Sequence, residues 1–147
     1  MIKTILVPVD GSEHSNKALT LAVDIAEKYD AIVSVLFVAS NKIDEELRHF
    51  TAHEYNLEDD SAIPSVSEDI GKSTIKRMIN PLKTKVVIKP VVLFGNPADQ
   101  IVEYSMDNSF DMVVMGNRGL SDIKGIMMGS VSRKVRRLVE CAFVSIK

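Results

Sequence analysis

The sequence has a single cysteine, no tryptophan, three histidines and only 5% aromatic residues in 147 positions, and each scarcity removes a class of function. Cys141 cannot close a disulfide within the chain and has no partner for a CxxC metal or redox pair, so a reducing, cytoplasmic setting is expected. Long apolar runs are missing too. The N-terminal stretch Ile5 to Val9 is too short for a signal-peptide core, and Asp10 interrupts it without a small-residue cleavage pattern. The start therefore reads as mature protein, and no membrane contact is expected. No one sign of charge dominates: 18 Lys and Arg stand against 20 Asp and Glu, a net of -2, which gives no general attraction to nucleic acid or acidic lipid. The densest basic cluster, Arg133, Lys134, Arg136 and Arg137, lacks interleaved aromatics and reads as a solvated helix face.

Histidine is too sparse to build a site. His49 and His53, four apart, could share a helix face as metal ligands, but no third ligand accompanies them and the residues after His53-Glu54 do not complete HExxH. No metal ligand is assigned, and no Ser–His–Asp arrangement can be argued. Gly71-Lys72-Ser73-Thr74 imitates the end of a Walker A loop, yet that motif needs a glycine five positions earlier, where Val66 stands.

What is present is a regular alternation of strand and helix patterns. A hydrophobic fraction of 46% with 26% charged residues is that of an ordinary globular protein, and the length suits one domain, 1–147. Thr4 to Val9, Ile32 to Ala39, Lys85 to Phe94, Asp111 to Met115 and Ala142 to Ile146 read as strands. Between them lie helical patterns: Ala18, Ala22, Ile25, Ala26 and Tyr29 after an N-cap at Ser12; Val66, Ile70, Met78 and Ile79 after a capping box at Ser65 to Glu68; and Ile101, Val102, Tyr104 and Ser105 after Asn96-Pro97. A last helix runs from about Gly129 to Val139. Residues 40–63 form a long, partly helical connection. Stacked βα units of this kind give a parallel sheet covered on both faces.

The chemistry concentrates at two strand ends. Asp10-Gly11-Ser12 follows the first strand, and Gly116-Asn117-Arg118-Gly119 follows the fourth, with Gly129-Ser130-Val131-Ser132 opening the last helix. Backbone without Cβ can approach phosphate oxygens closely, and the first N–H groups of a helix favour an anion. In a doubly wound sheet such ends meet at the switch point, where ligands bind. Asp10 also suits the turn into the first helix, and the two roles can coexist.

These residues resemble the universal stress protein family, in its ATP-binding subgroup. The likeness spans nearly the whole chain: Ile5-Leu6-Val7-Pro8-Val9-Asp10-Gly11-Ser12, Gly95-Asn96-Pro97-Ala98, Asp111 to Gly116, and the glycine motif ending at Ser132. It implies an α/β fold, a single doubly wound, Rossmann-like, five-stranded parallel sheet in the order 3-2-1-4-5 with helices on both faces. It further implies that Asp10 lies beside the ribose or base with Pro8 and Val9, and that Val38 meets the adenine edge. Met115, Gly116, Arg118, Gly119, Gly129, Ser130, Val131 and Ser132 would surround ribose and phosphates. A homodimer through the last strand is implied as well, although Cys141-Ala142-Phe143-Val144 departs from the family's Cys-Pro-Val.

The function expected is that of an ATP-binding regulatory or stress-response protein, with Mg2+ as phosphate counterion and an unidentified regulatory protein partner. Two alternatives stand beside it: a slow ATP hydrolase or phosphoryl-transfer enzyme, for which no catalytic base is recognisable, and a nucleotide-free dimeric interaction module.

Overall fold

In the computed structural model, which describes residues 1–40, 65–119 and 128–147, strand and helix alternate. The order is β1 (Thr4–Val9), α1 (Glu13–Tyr29), β2 (Ile32–Ala39), α2 (Val66–Ile79), β3 (Ile88–Phe94), α3 (Pro97–Asp107), β4 (Met112–Gly116), α4 (Ser130–Leu138) and β5 (Ala142–Ile146). Every pairing is parallel and the sheet order is β3-β2-β1-β4-β5, as expected. Residues 41–63 of the long connection, with His49 and His53, fall outside the described residues.

Alternation along each central strand supplies two cores. Ile5, Val7 and Val9 of β1 join Val33 and Val35 of β2 and Val114 of β4 in a cluster under α1 and α2. Leu6, Leu36, Val113 and Met115 point the other way, to Ala98, Ile101 and Val102 of α3 and Val135 of α4. Helices therefore cover both faces.

Three helices start at caps legible in the sequence. Ser12 Oγ accepts from Ser15 N, Ser65 Oγ from Glu68 N, and Asn96 Oδ1 from Asp99 N, with Pro97 at the first helical position.

The buried face of α2 differs from expectation. Val66 and Ile70 are 39% and 44% exposed, and the inward face is Ser67, Gly71, Thr74, Ile75 and Met78. The cause is distance: a Cβ on Gly71 would lie 2.9 Å from Phe37 Cδ1 and 3.0 Å from Val92 Cγ1, so α2 sits too close to the sheet for larger side chains there. Gly71 is thus a packing glycine inside a helix. Similarly, Tyr29 at the end of α1 is exposed, while Leu19 and Val23 carry the packing.

Two strand bounds also shift. β3 begins at Ile88, three residues later than the pattern suggests, because Val86 N turns to Thr84 Oγ1 instead of the ladder. β4 runs from Met112 through Gly116, one residue later at each end than the pattern suggests; just before it, the Asp111 carboxylate accepts from Lys3 N (2.8 Å) and Thr4 N (2.9 Å). Those bonds hold the carboxyl of Asp111 below the ordinary carboxylate range, the Lys3 amide contributing most.

The pairing of β1 opens the site. β1 is matched to β2 along its whole length, Thr4 with Ile32 through Val9 with Phe37, but to β4 only at Ile5–Met112 and Leu6–Val113. Beyond that level the two central strands have no rungs between them, and their carboxyl ends border a crevice at the switch point.

Candidate functional site

A cavity of about 280 Å³ occupies this crevice. All twelve residues singled out from the sequence line it: Pro8, Val9 and Asp10 from β1 and its turn, Val38 from β2, Met115, Gly116, Arg118 and Gly119 from β4 and the loop beyond, and Gly129, Ser130, Val131 and Ser132 from the start of α4. Ser15, Leu36, Phe37, Pro97 and Ile101 complete the wall. Leu36 was legible, because it lies two residues from Val38 on the same strand face; Pro97 and Ile101 share one face of α3 at i, i+4. Nothing in the pattern marked Phe37, whose neighbours lie in the opposite core.

The wall has an apolar half and an anion-seeking half. Leu36, Val38, Pro97, Ile101 and Met115 offer hydrocarbon. Opposite them, α4 begins at Gly129, which is extended (φ -65, ψ 160) and gives no side-chain cap. No acidic residue occupies the first turn of α4, whereas α1, α2 and α3 carry Glu13, Glu68 with Asp69, and Asp99 there. The first N–H groups of α4 and the positive end of its dipole are thus left for a ligand. Arg118 borders the same space, and its Nε is buried without a hydrogen-bond partner among the described residues. A buried unpaired guanidinium N–H costs roughly 1–3 kcal/mol, which a bound anion would recover.

The turn after β1 is tightly built. Gly11 takes φ +83, a left-handed value suited to glycine, and Asp10 Oδ1 accepts from Ser12 N at 2.9 Å, so the carboxylate is oriented by its own turn. Ser15 Oγ in turn donates to Ser12 O.

The end of β4 is gripped from several sides. A Cβ on Gly116 would meet His14 Cβ at 2.7 Å and His14 C at 2.9 Å, so this glycine admits the first turn of α1 as well as lining the cavity. Asn117 N donates to Ile146 O of β5, Gly129 N donates to Asn117 O at 2.6 Å, and Ser132 Oγ donates to Gly116 O at 2.7 Å. Between the helices, Lys134 of α4 pairs with Asp99 of α3 at 2.6 Å; both are about half exposed, and such a pair contributes about 0–1 kcal/mol.

Other candidate chemistry lies elsewhere. Burial pushes the Cys141 thiol above its usual range, which suppresses the nucleophilic thiolate. Among the described residues no group of three or more His, Cys, Asp or Glu could hold a metal ion, and no helix is long and apolar enough to cross a membrane.

Comparison with known proteins gives one consistent answer. The model of the Universal stress protein family matches residues 1–147. Universal stress protein YxiE of Bacillus subtilis is 29% identical over 151 residues, with all of both chains covered. Among solved structures, hypothetical protein MJ0577 superposes with a TM-score of 0.80 at 23% identity, covering 100% of this chain and 96% of that one. A universal stress protein in complex with cAMP gives 0.65 at 24% identity, covering 99% and 96%. One from Archaeoglobus fulgidus in complex with dAMP gives 0.69 at 18%, covering 100% and 98%.

Proposed function

The chain belongs to the universal stress protein family, and on that premise we propose that it is an ATP-binding regulatory protein of the stress response, with the nucleotide at the carboxyl ends of β1 and β4. The observation that carries this reading is the uncapped start of α4 and the buried Nε of Arg118, without a partner among the described residues, on the wall of a cavity whose other half is apolar. A nucleotide has the matching halves. Its base fits against Leu36, Val38, Pro97 and Ile101, with Pro8, Val9 and Asp10 beside the ribose. Its phosphates fit over Gly116, Gly119 and Gly129, where they accept from Arg118, from the Ser130 hydroxyl and from the first amides of α4.

Adenine is favoured because two structural neighbours were solved with cAMP and dAMP. A triphosphate is proposed because the anion-binding groups are spread over two segments, the loop at Arg118 and Gly119 and the first turn of α4. The cavity, about 280 Å³, lies near the lower end of small-molecule sites, roughly 300–1,000 Å³. With no metal cluster among the described residues, Mg2+ would enter held by phosphate oxygens and water.

Occupancy would act by favouring whichever conformation binds the nucleotide better, read out by a partner protein or by the dimer. The outer edge of β5 suits self-association in the cytoplasm: it carries no proline, and Phe143, Val144 and Ile146 are only half-buried. The test is direct. Protein purified without added nucleotide is extracted with acid, any released base is identified by chromatography, and ATP is titrated calorimetrically. Adenine nucleotide in the extract and a measurable heat are expected; folded protein giving neither would sink the proposal.

A further inference from the structure

The family resemblance puts Ser132 among the residues that touch phosphate, but its hydroxyl is committed elsewhere. Ser132 is 3% exposed, and its Oγ lies 2.7 Å from Gly116 O. A carbonyl oxygen only accepts, so the single hydroxyl proton of Ser132 is the donor in this bond. Ionised phosphate oxygens also only accept. While this bond stands, Ser132 has no proton left for them.

The Gly116 carbonyl needs that donor. Across the trans peptide of Gly116 and Asn117 the N–H and C=O point in opposite directions. Asn117 N is directed at Ile146 O on β5, so Gly116 O faces the β1 side, where the rungs between β1 and β4 end at Leu6–Val113. It is a strand carbonyl whose sheet neighbour has gone, and the opening of the crevice is what removed it. Ser132 replaces the missing rung. Gly116 is fixed from behind by the backbone and Cβ of His14, and the cap of α4 is tied alongside by the bond from Gly129 N to Asn117 O.

We infer that Ser132 is a positioning residue that latches the first turn of α4 to the end of β4 and so holds the helix's open amides at the cavity, and that it does not donate to phosphate. Ser130, exposed between the two anchored residues Gly129 and Ser132, is left as the hydroxyl for the ligand. The assignment rests on the nucleotide site proposed above.

The experiment compares wild type, Ser132→Ala, Ser132→Thr and Ser130→Ala by calorimetry with ATP and with adenosine. It also follows hydrogen exchange at the Gly129 and Arg133 amides in nucleotide-free protein. Ser132→Ala should weaken ATP about tenfold, leave adenosine nearly unchanged, and speed exchange at both amides; Ser132→Thr, which keeps the hydroxyl, should restore both properties. Ser130→Ala should weaken ATP without altering exchange. Wild-type exchange in Ser132→Ala would overturn the latch, and faster exchange with undiminished ATP affinity would overturn its service to the site. Should Ser132→Ala not fold, Ser132→Cys, of similar size and a weaker donor, gives the same two readings. Failure of wild type to bind ATP would refute the proposed function, while the exchange comparison would still decide whether the latch exists.

Discussion

Two helices begin where a central strand ends, α1 after β1 and α4 after β4, and the first residues of both border one cavity, yet their starts are chemically opposite. At α1 the chain closes its own donors: Asp10 takes the Ser12 amide, Ser12 takes the Ser15 amide, and Glu13 sits against the positive end of the dipole. At α4 there is a glycine cap, no side-chain capping bond and no acidic residue in the first turn, and Arg118 borders the same cavity. The proposed anion site would therefore be created by what is withheld from one helix. Three described helices spend their N-termini on folding, whereas the fourth starts without a side-chain cap, its base tied to the end of β4 by Gly129 and Ser132.

The most damaging way to erase the contrast is to give α4 the kind of start that α1 has. Gly129→Asp is compatible with the extended backbone there and would supply both a capping acceptor and a negative charge at the cavity. ATP affinity should fall about 100-fold, near 2.7 kcal/mol, in calorimetry. The thermal midpoint should not fall, since Asp is the better cap; retained ATP binding would show that the start of α4 is not where the phosphates lie.

The converse change opens α1. Ser12→Ala removes the acceptor for Ser15 N and should destabilise the fold by about 1 kcal/mol in urea unfolding, with ATP affinity nearly unchanged. A large loss of affinity at undiminished stability would mean that the cap of α1 serves the ligand after all.

The smallest effect concerns the opposite end of the same two strands, where the Asp111 carboxylate closes the amides of Lys3 and Thr4 as Asp10 closes that of Ser12. Its folded pKa is depressed, so the stability it adds is fully present above the unfolded value, near 3.8, and is lost as pH falls through the lower folded value. Unfolding followed from pH 6 down to about pH 2 should show a shallower acid loss in Asp111→Asn than in wild type. Identical slopes would remove Asp111 from the acid response.

Legibility differed by element for physical reasons. β1, β2 and β5 have the expected bounds because each is a mostly apolar run, and three of the caps were read correctly because side-chain acceptors at fixed spacing act locally. The inward face of α2 departs from the apolar pattern because the helix packs so close to Phe37 and Val92 at Gly71 that a Cβ there would not fit, and Ser67, Gly71 and Thr74 join Ile75 and Met78 on that face. At the site, the glycines, Arg118 and Asp10 stood out in sequence, whereas Pro97 and Ile101 marked only the start and one face of a helix until the strands were seen to part.

Local chemistry is what the sequence determined by itself: where strands run, which helices carry side-chain caps, and that two polar strand ends exist. Those features depend on residues within a few positions of one another. What only the tertiary structure decided is how the two ends combine. That Gly116 must be glycine to admit His14, that Ser132 spends its proton on a carbonyl sixteen residues away, and that Arg118 Nε is buried without a partner among the described residues all depend on approaches between distant segments. The packing of α1 and α4 against the end of β4 sets those approaches, and no local pattern encodes them.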